Sequence, residues 1–192
     1  VVGTSKFWAT DSANTTGTYA QFERSALYSP SFDLTALKAP MIAFDAVVNT
    51  QLSDGVIVEY SQDNKNIADP SKEWIALGTR IGEGVDWFTD KGIAAKPGHQ
   101  IGNDFGWSGT SPLKNGSHWI QPKHTIDTIQ TTGSRDHVVF RIALASFSDQ
   151  PLEGFGVDNI FIGDRTRTIL LESFQNTGNT NAEKAVNDSI RV

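Results

Sequence analysis

Five tryptophans, Trp8, Trp74, Trp87, Trp107 and Trp119, are the residues of this 192-residue chain whose type first invites a chemical reading. Trp87, Trp107 and Trp119 fall in one irregular stretch with Phe88 and Phe105. An indole face stacks on the C–H face of a pyranose while nearby amides and carboxylates bind the sugar hydroxyls. Asn103, Asp104, Asn115 and His118 are placed in the sequence to supply such contacts. The pattern predicts a sugar-binding platform on Trp87, Trp107 and Trp119. Trp107 stands out, because Gly106 and Gly109 keep the backbone beside it open to a ligand. The competing expectation is that these rings close a core beneath a long loop, since buried aromatics dominate core energetics.

Bond-breaking chemistry has less to work with. Glu59, Glu73, Asp86 and Asp104 are raw material for a glycosidase, but nothing in their spacing pairs two of them across a cleft. Ser108, in Gly106-Trp107-Ser108-Gly109, lacks the second spacer of a Gly-x-Ser-x-Gly nucleophile elbow. His99, His118, His124 and His137 show no metal-binding spacing and are expected in solvated loops. The absence of cysteine excludes disulfides, iron–sulfur clusters, thiolate zinc sites and cysteine nucleophiles. The expectation is a protein that is not an enzyme.

A formal charge of −6 repels phosphate backbones and anionic lipid, so nucleic acid is not an expected partner. No stretch approaches the roughly 18 consecutive apolar residues of a membrane helix, so membrane insertion is not expected either. Val1-Val2-Gly3 has neither the basic start nor the apolar run of a signal peptide, which reads as a mature product or an excised piece.

The elements that must position these residues follow a period of two. Val138, Phe140, Ile142 and Leu144 alternate with Val139, Arg141, Ala143 and Ala145, which predicts a half-buried strand with Arg141 on its outer face. Val56, Val58 and Tyr60 repeat the design, and 41–48 is a nearly continuous apolar run suited to a central strand. The polar segment between them closes on Asp54-Gly55 and predicts a hairpin joining the two. Further strands are expected at 26–28, 74–77 and 156–162. Short strands between Gly, Pro, Asn and Asp clusters predict an all-β, two-sheet antiparallel sandwich over residues 1–165. The stretch 82–122, rich in Gly, Pro and aromatics, is expected to be a functional or wrapping loop. Residues 166–192 read as a strand, a loop and a helix with Ala182, Ala185, Val186 and Ile190 near one face, either an appendage or the start of a further domain. Arg165 and Arg167 make the junction basic and solvated.

Ser25-Ala26-Leu27-Tyr28-Ser29-Pro30, the following apolar strand, and Glu153-Gly154-Phe155-Gly156-Val157-Asp158-Asn159-Ile160 occur in that order and separation. Together they resemble the MAM-like jelly-roll modules of secreted and cell-surface proteins in Bacteroidetes-type bacteria, over about residues 5 to 165. The disulfides of animal MAM domains have no counterpart in this chain. Residues 165–174 look like the opening strand of a thioredoxin-like domain, but Asn176-Thr177-Gly178-Asn179-Thr180-Asn181-Ala182 stands where a Cys-x-x-Cys pair would, so disulfide exchange is excluded. A buried Asp158 needs backbone N–H groups or a cation to compensate it. The resemblance implies a structural calcium there, with Asp11 supplying the other half of an oxygen-rich shell.

The sequence thus predicts a non-catalytic binding, adhesion or scaffolding module of a larger exported protein, at a bacterial surface or in the periplasm. Its partner would be a protein or glycan surface, met by the loop 82–122. The alternatives are a carbohydrate-binding module built on the loop tryptophans, or a structural subunit whose tail completes a neighbour's sheet.

Overall fold

A computed structural model of the chain describes residues 7–10, 17–70, 72–79, 81, 83–98, 105–113, 116–126, 129 and 134–164. It contains the strands β1 (Trp8–Ala9), β2 (Arg24–Tyr28), β3 (Pro40–Asn49), β4 (Gly55–Ser61), β5 (Ile75–Ala76), β6 (Lys123–Thr125), β7 (Val139–Ala145) and β8 (Gly154–Asp164). They form two four-stranded sheets in the orders β1-β8-β3-β6 and β2-β7-β4-β5, and every pairing is antiparallel. The first strand pairs with the last, the second with the seventh, the third with the sixth and the fourth with the fifth. This nesting is the jelly roll, an all-β sandwich. The expected strand-loop-helix appendage lies outside the described residues.

The expected hairpin of β3 with β4 is corrected by this topology, because the two strands lie in different sheets. Their connection crosses from one layer to the other. Asp54 stands at the crossing, wholly buried, accepting hydrogen bonds from the Tyr19 hydroxyl at 2.6 Å and the Phe147 N–H at 2.7 Å. An Asp-Gly pair reads as a hairpin turn from sequence, yet here its carboxylate ties two loops to the end of the sandwich. Burial and the bond to Asp54 push the Tyr19 phenol up to about 12.

Phe44, Val48, Val56, Val58, Phe140, Leu144, Phe155 and Val157 meet between the sheets, which is the alternation the sequence displays. The expectation of a half-buried β7 is also corrected, since Arg141 on its outer face is buried too. Every residue of β4 is buried as well. The chain from Ile93 to Gly98 lies over this outer face: an added Cβ at Gly98 would come within 2.6 Å of both Glu59 carboxylate oxygens, and Ala95 accepts a hydrogen bond from Arg24.

β8 carries a bulge. Between the pairs Ala43↔Phe161 and Asp45↔Asp158, Asn159 and Ile160 face the single residue Phe44, and Asn159 takes a φ of 51°. The extra residue shifts the pleat by one, so that Ile160 and Ile162 fall on the same inner face as Phe155 and Val157.

Candidate functional site

The described parts of 82–122 stitch the two sheets together. Val85 bridges to Lys123 on β6, Trp107 to Val56 on β4, Thr110 to Asn49 and Ile120 to Ala46, both on β3. Trp87 and Trp107 are driven into the core, with ring centroids 5.0 Å apart and edge to face, and Phe44 and Phe88 close around Trp107. Both indole donors are taken, Trp87 Nε1 by the Leu77 carbonyl at 3.0 Å and Trp107 Nε1 by that of Asp86 at 2.9 Å. Gly55 admits this close approach, because an added Cβ would sit 2.8 Å from the Trp107 carbonyl oxygen. The expected stacking platform is therefore corrected at Trp87 and Trp107: neither offers a ring face to a sugar. Trp119 is half-buried with Phe7 packed edge-on against it at 5.4 Å, and His118 is exposed with Nδ1 2.7 Å from the Ser111 carbonyl. Asn103, Asp104 and Asn115 lie outside the described residues.

His124 also departs from expectation. It is buried on β6, its ring 4.7 Å from that of Trp87 and its Nε2 3.9 Å from the Glu83 carboxylate. His118 and His137 are exposed, as expected of loop histidines.

Asp158 is half-buried, and its Oδ1 accepts the Asn159 N–H at 2.8 Å. Directly opposite on β3, Asp45 accepts from the side-chain amides of Asn159 at 2.7 Å and Gln121 at 2.9 Å. Calcium takes six to eight oxygens. No group of three or more His, Cys, Asp or Glu side chains fit to hold a metal occurs among the described residues. Asp11 lies outside the described residues; its neighbour Thr10 is bonded to Phe155, three positions along β8 from Asp158.

Two further charged groups serve the fold. Glu59, considered as catalytic material, is fully buried and accepts a hydrogen bond from Nε of Arg141 at 2.6 Å, with Nη2 in ion-pair contact at 2.5 Å and the Trp74 ring 4.1 Å from the guanidinium. The Lys72 ammonium is buried against Asp63 at 2.6 Å and the Asp63 and Lys65 carbonyls. Desolvation would raise the Asp63 carboxyl, but the bond from Lys72 and the N–H groups of Glu73 and Lys65 outweigh it and hold the group at about 2.

Among the described residues, one flank of the sandwich is left open. β2 is the edge strand of one sheet, and it faces β1 and β8 of the other. Between them runs an apolar groove in two adjoining parts of about 310 and 460 Å³, which share Trp8, Leu27 and Ile142 as lining. Core residues Phe140, Leu144 and Val157 form its floor. Trp8 is 67% exposed and Ile160 46% exposed at its rim. β1 pairs only with Gly156 and Val157, so from 158 to 163 no described strand lies on the outer edge of β8.

Neither a protein-family model nor a curated protein matches this chain. Function has to be read from the geometry. Among the described residues no helix is long and apolar enough to cross a membrane.

Sequence reasoning missed the flank. Trp8, Tyr28, Ile160 and Ile162 carried a signal, an apolar Ile-Phe-Ile run in one strand beside an isolated tryptophan. It pointed to burial as readily as to a surface, and which rows of a sandwich go uncovered depends on strand order.

Proposed function

We propose that the chain is a non-catalytic binding and scaffolding module of a larger exported bacterial protein, acting at the cell surface or in the periplasm. It engages extended, apolar polypeptide along the flank between β2 and β8. The observation that carries this reading is the groove itself, floored by core residues and rimmed by Trp8 and Ile160. Unpaired strand edges and apolar pockets for alternate side chains are what strand addition requires. The recognition surface thus moves from the loop 82–122, whose buried tryptophans hold the sheets together, to the opposite side of the core. The export context rests on the resemblance to MAM-like modules.

The test is a panning of displayed heptapeptides against the whole chain. Binders with alternating apolar residues are expected, losing at least tenfold in affinity to the Trp8→Glu and Ile160→Glu variants, roughly 1.4 kcal/mol. Binders indifferent to both substitutions would overturn the assignment. The carbohydrate reading keeps one supporting observation, the exposed indole of Trp8. Retention on insoluble polysaccharide that Trp8→Ala abolishes would favour it instead.

A further inference from the structure

Just before β2, Phe22 has a φ of 54°, a left-handed backbone that bulky side chains rarely adopt. The strained conformation leaves its ring 66% exposed beside Phe147, itself 46% exposed, with the centroids 6.0 Å apart and the planes tilted by 56°. Burial does not account for the strain, and backbone strain held in place by its surroundings points towards a function. Those surroundings are firm. The Phe22 N–H donates to the Phe147 carbonyl at 3.1 Å, the Glu23 N–H to the Ser146 hydroxyl at 2.7 Å, and that hydroxyl to the Ala20 carbonyl at 2.7 Å.

Lys96 has the same left-handed backbone, with a φ of 50°. Together with the two rings, Arg24, Ala94 and Ala95 it lines a pocket of about 150 Å³. Arg24 donates to the Lys96 carbonyl at 3.2 Å and to that of Ala95 at 3.0 Å, which fixes the guanidinium at the pocket wall and leaves its other N–H donors for a ligand. Among the described residues neither Arg24 nor Lys96 is in an ion pair, although the chain carries a net charge of −6. The carboxylates of the adjoining loops are engaged otherwise, Glu23 by the Ala20 N–H and Asp149 by the Ser53 hydroxyl.

We propose that this pocket binds one uronic acid residue of an acidic polysaccharide. Arg24 and Lys96 take the carboxylate through charge-assisted hydrogen bonds, and the C–H face of the pyranose rests on Phe22 and Phe147. Each half of the pocket argues for a part of that ligand. A neutral sugar would leave both cations unpaired, and an acidic peptide would set only a short methylene stem against the rings. Size agrees, because sites for drug-sized ligands begin at about 300 Å³ and half that volume holds a single ring. The site is independent of the flank. Glu23 and Ser25 line the groove whereas Phe22 and Arg24 line the pocket, as the alternation of side chains along a strand requires.

The test is a titration of the whole chain with the methyl glycosides of glucuronic and galacturonic acid, followed by nitrogen-15 amide shifts. Methyl glucoside, methyl galactoside and acetate are the controls. A uronide should bind with a Kd in the millimolar range, at least tenfold tighter than any control, and move the amides of residues 22–24, 94–96 and 146–147. Arg24→Gln and Lys96→Gln should each weaken it roughly tenfold. Phe22→Gly should abolish binding while Tm holds or rises, because glycine adopts this φ without strain. A fall in Tm with binding intact would make the ring structural and overturn the proposal. So would the absence of saturable shifts with either uronide, or equal affinity for a neutral glycoside or acetate. Shifts at these amides from a glutamate-rich peptide or phosphatidylserine vesicles, but not from uronides, would overturn it in favour of an acidic peptide or a lipid headgroup. Trp8→Glu, which tests the flank, should leave uronide binding unchanged, and its loss there would move the sugar to the groove.

Discussion

Replacing Trp107 by alanine separates a core role from a ligand-binding role most directly. The indole is wholly buried, it meets Trp87, Phe88 and Phe44 edge to face, and its Nε1 donates to the Asp86 carbonyl. Truncating a buried tryptophan costs about 3–5 kcal/mol, and removing the donor from a buried carbonyl adds of order 1 kcal/mol. A loss of about 4–6 kcal/mol is expected, which for a domain of this size, at about 2–4 °C per kcal/mol, lowers Tm by roughly 8–24 °C. Trp107→Phe keeps most of the ring contacts and should lose about half as much. Trp8→Ala, at the solvent-facing rim, should move Tm by less than about 4 °C, because a surface ring contributes little to folding. The assay is thermal and urea unfolding followed by circular dichroism, with an unchanged urea slope as the sign that the unfolded state is the same. The reasoning fails if Trp107→Ala melts within about 2 °C of the parent, since the loop 82–122 would then be an appendage rather than the seam between the sheets.

Other expectations follow from the buried polar groups. Arg141→Met strands the Glu59 carboxylate without its cation and should cost about 3–5 kcal/mol in urea unfolding, with much of it recovered in Glu59→Leu/Arg141→Met. Because the native state holds the Tyr19 phenol up to about 12, its contribution is complete below the unfolded value near 10 and is lost as pH rises towards 12. Tyr19→Phe should flatten the decline of the urea midpoint across that interval. The Asp63 carboxyl, held at about 2, contributes stability above its unfolded value near 4 that disappears as pH falls towards 2. Its carbon-13 titration midpoint should rise towards 4 in Lys72→Met, and an unmoved midpoint would show that Lys72 is not the cause. For the calcium that the family resemblance implies on Asp158, the measurement is Tm in millimolar calcium against chelator: a rise of several degrees is expected of a structural ion, and an unchanged Tm would argue against it.

The sequence by itself determined the fold class, because burial between two sheets must alternate along each strand and Val56, Val58, Phe140, Ile142 and Leu144 show that alternation openly. It also determined which chemistries are excluded, since thiol chemistry needs a cysteine. Tertiary structure decided what each distinctive residue is for. Asp54-Gly55 looks the same in a hairpin as in a crossing between sheets, and only the nested strand order makes it the latter. An indole suits a sugar or a core equally well, and Trp87 and Trp107 became core because the strands left a seam between the layers that only large rings fill. Arg141 reads as a solvated outer position until the chain from Ile93 to Gly98 and Trp74 cover that face. The flank left open among the described residues was the least legible feature, since it arises where β1 stops after two residues and the edge of β8 continues, a mismatch of lengths that exists only once the strands are side by side.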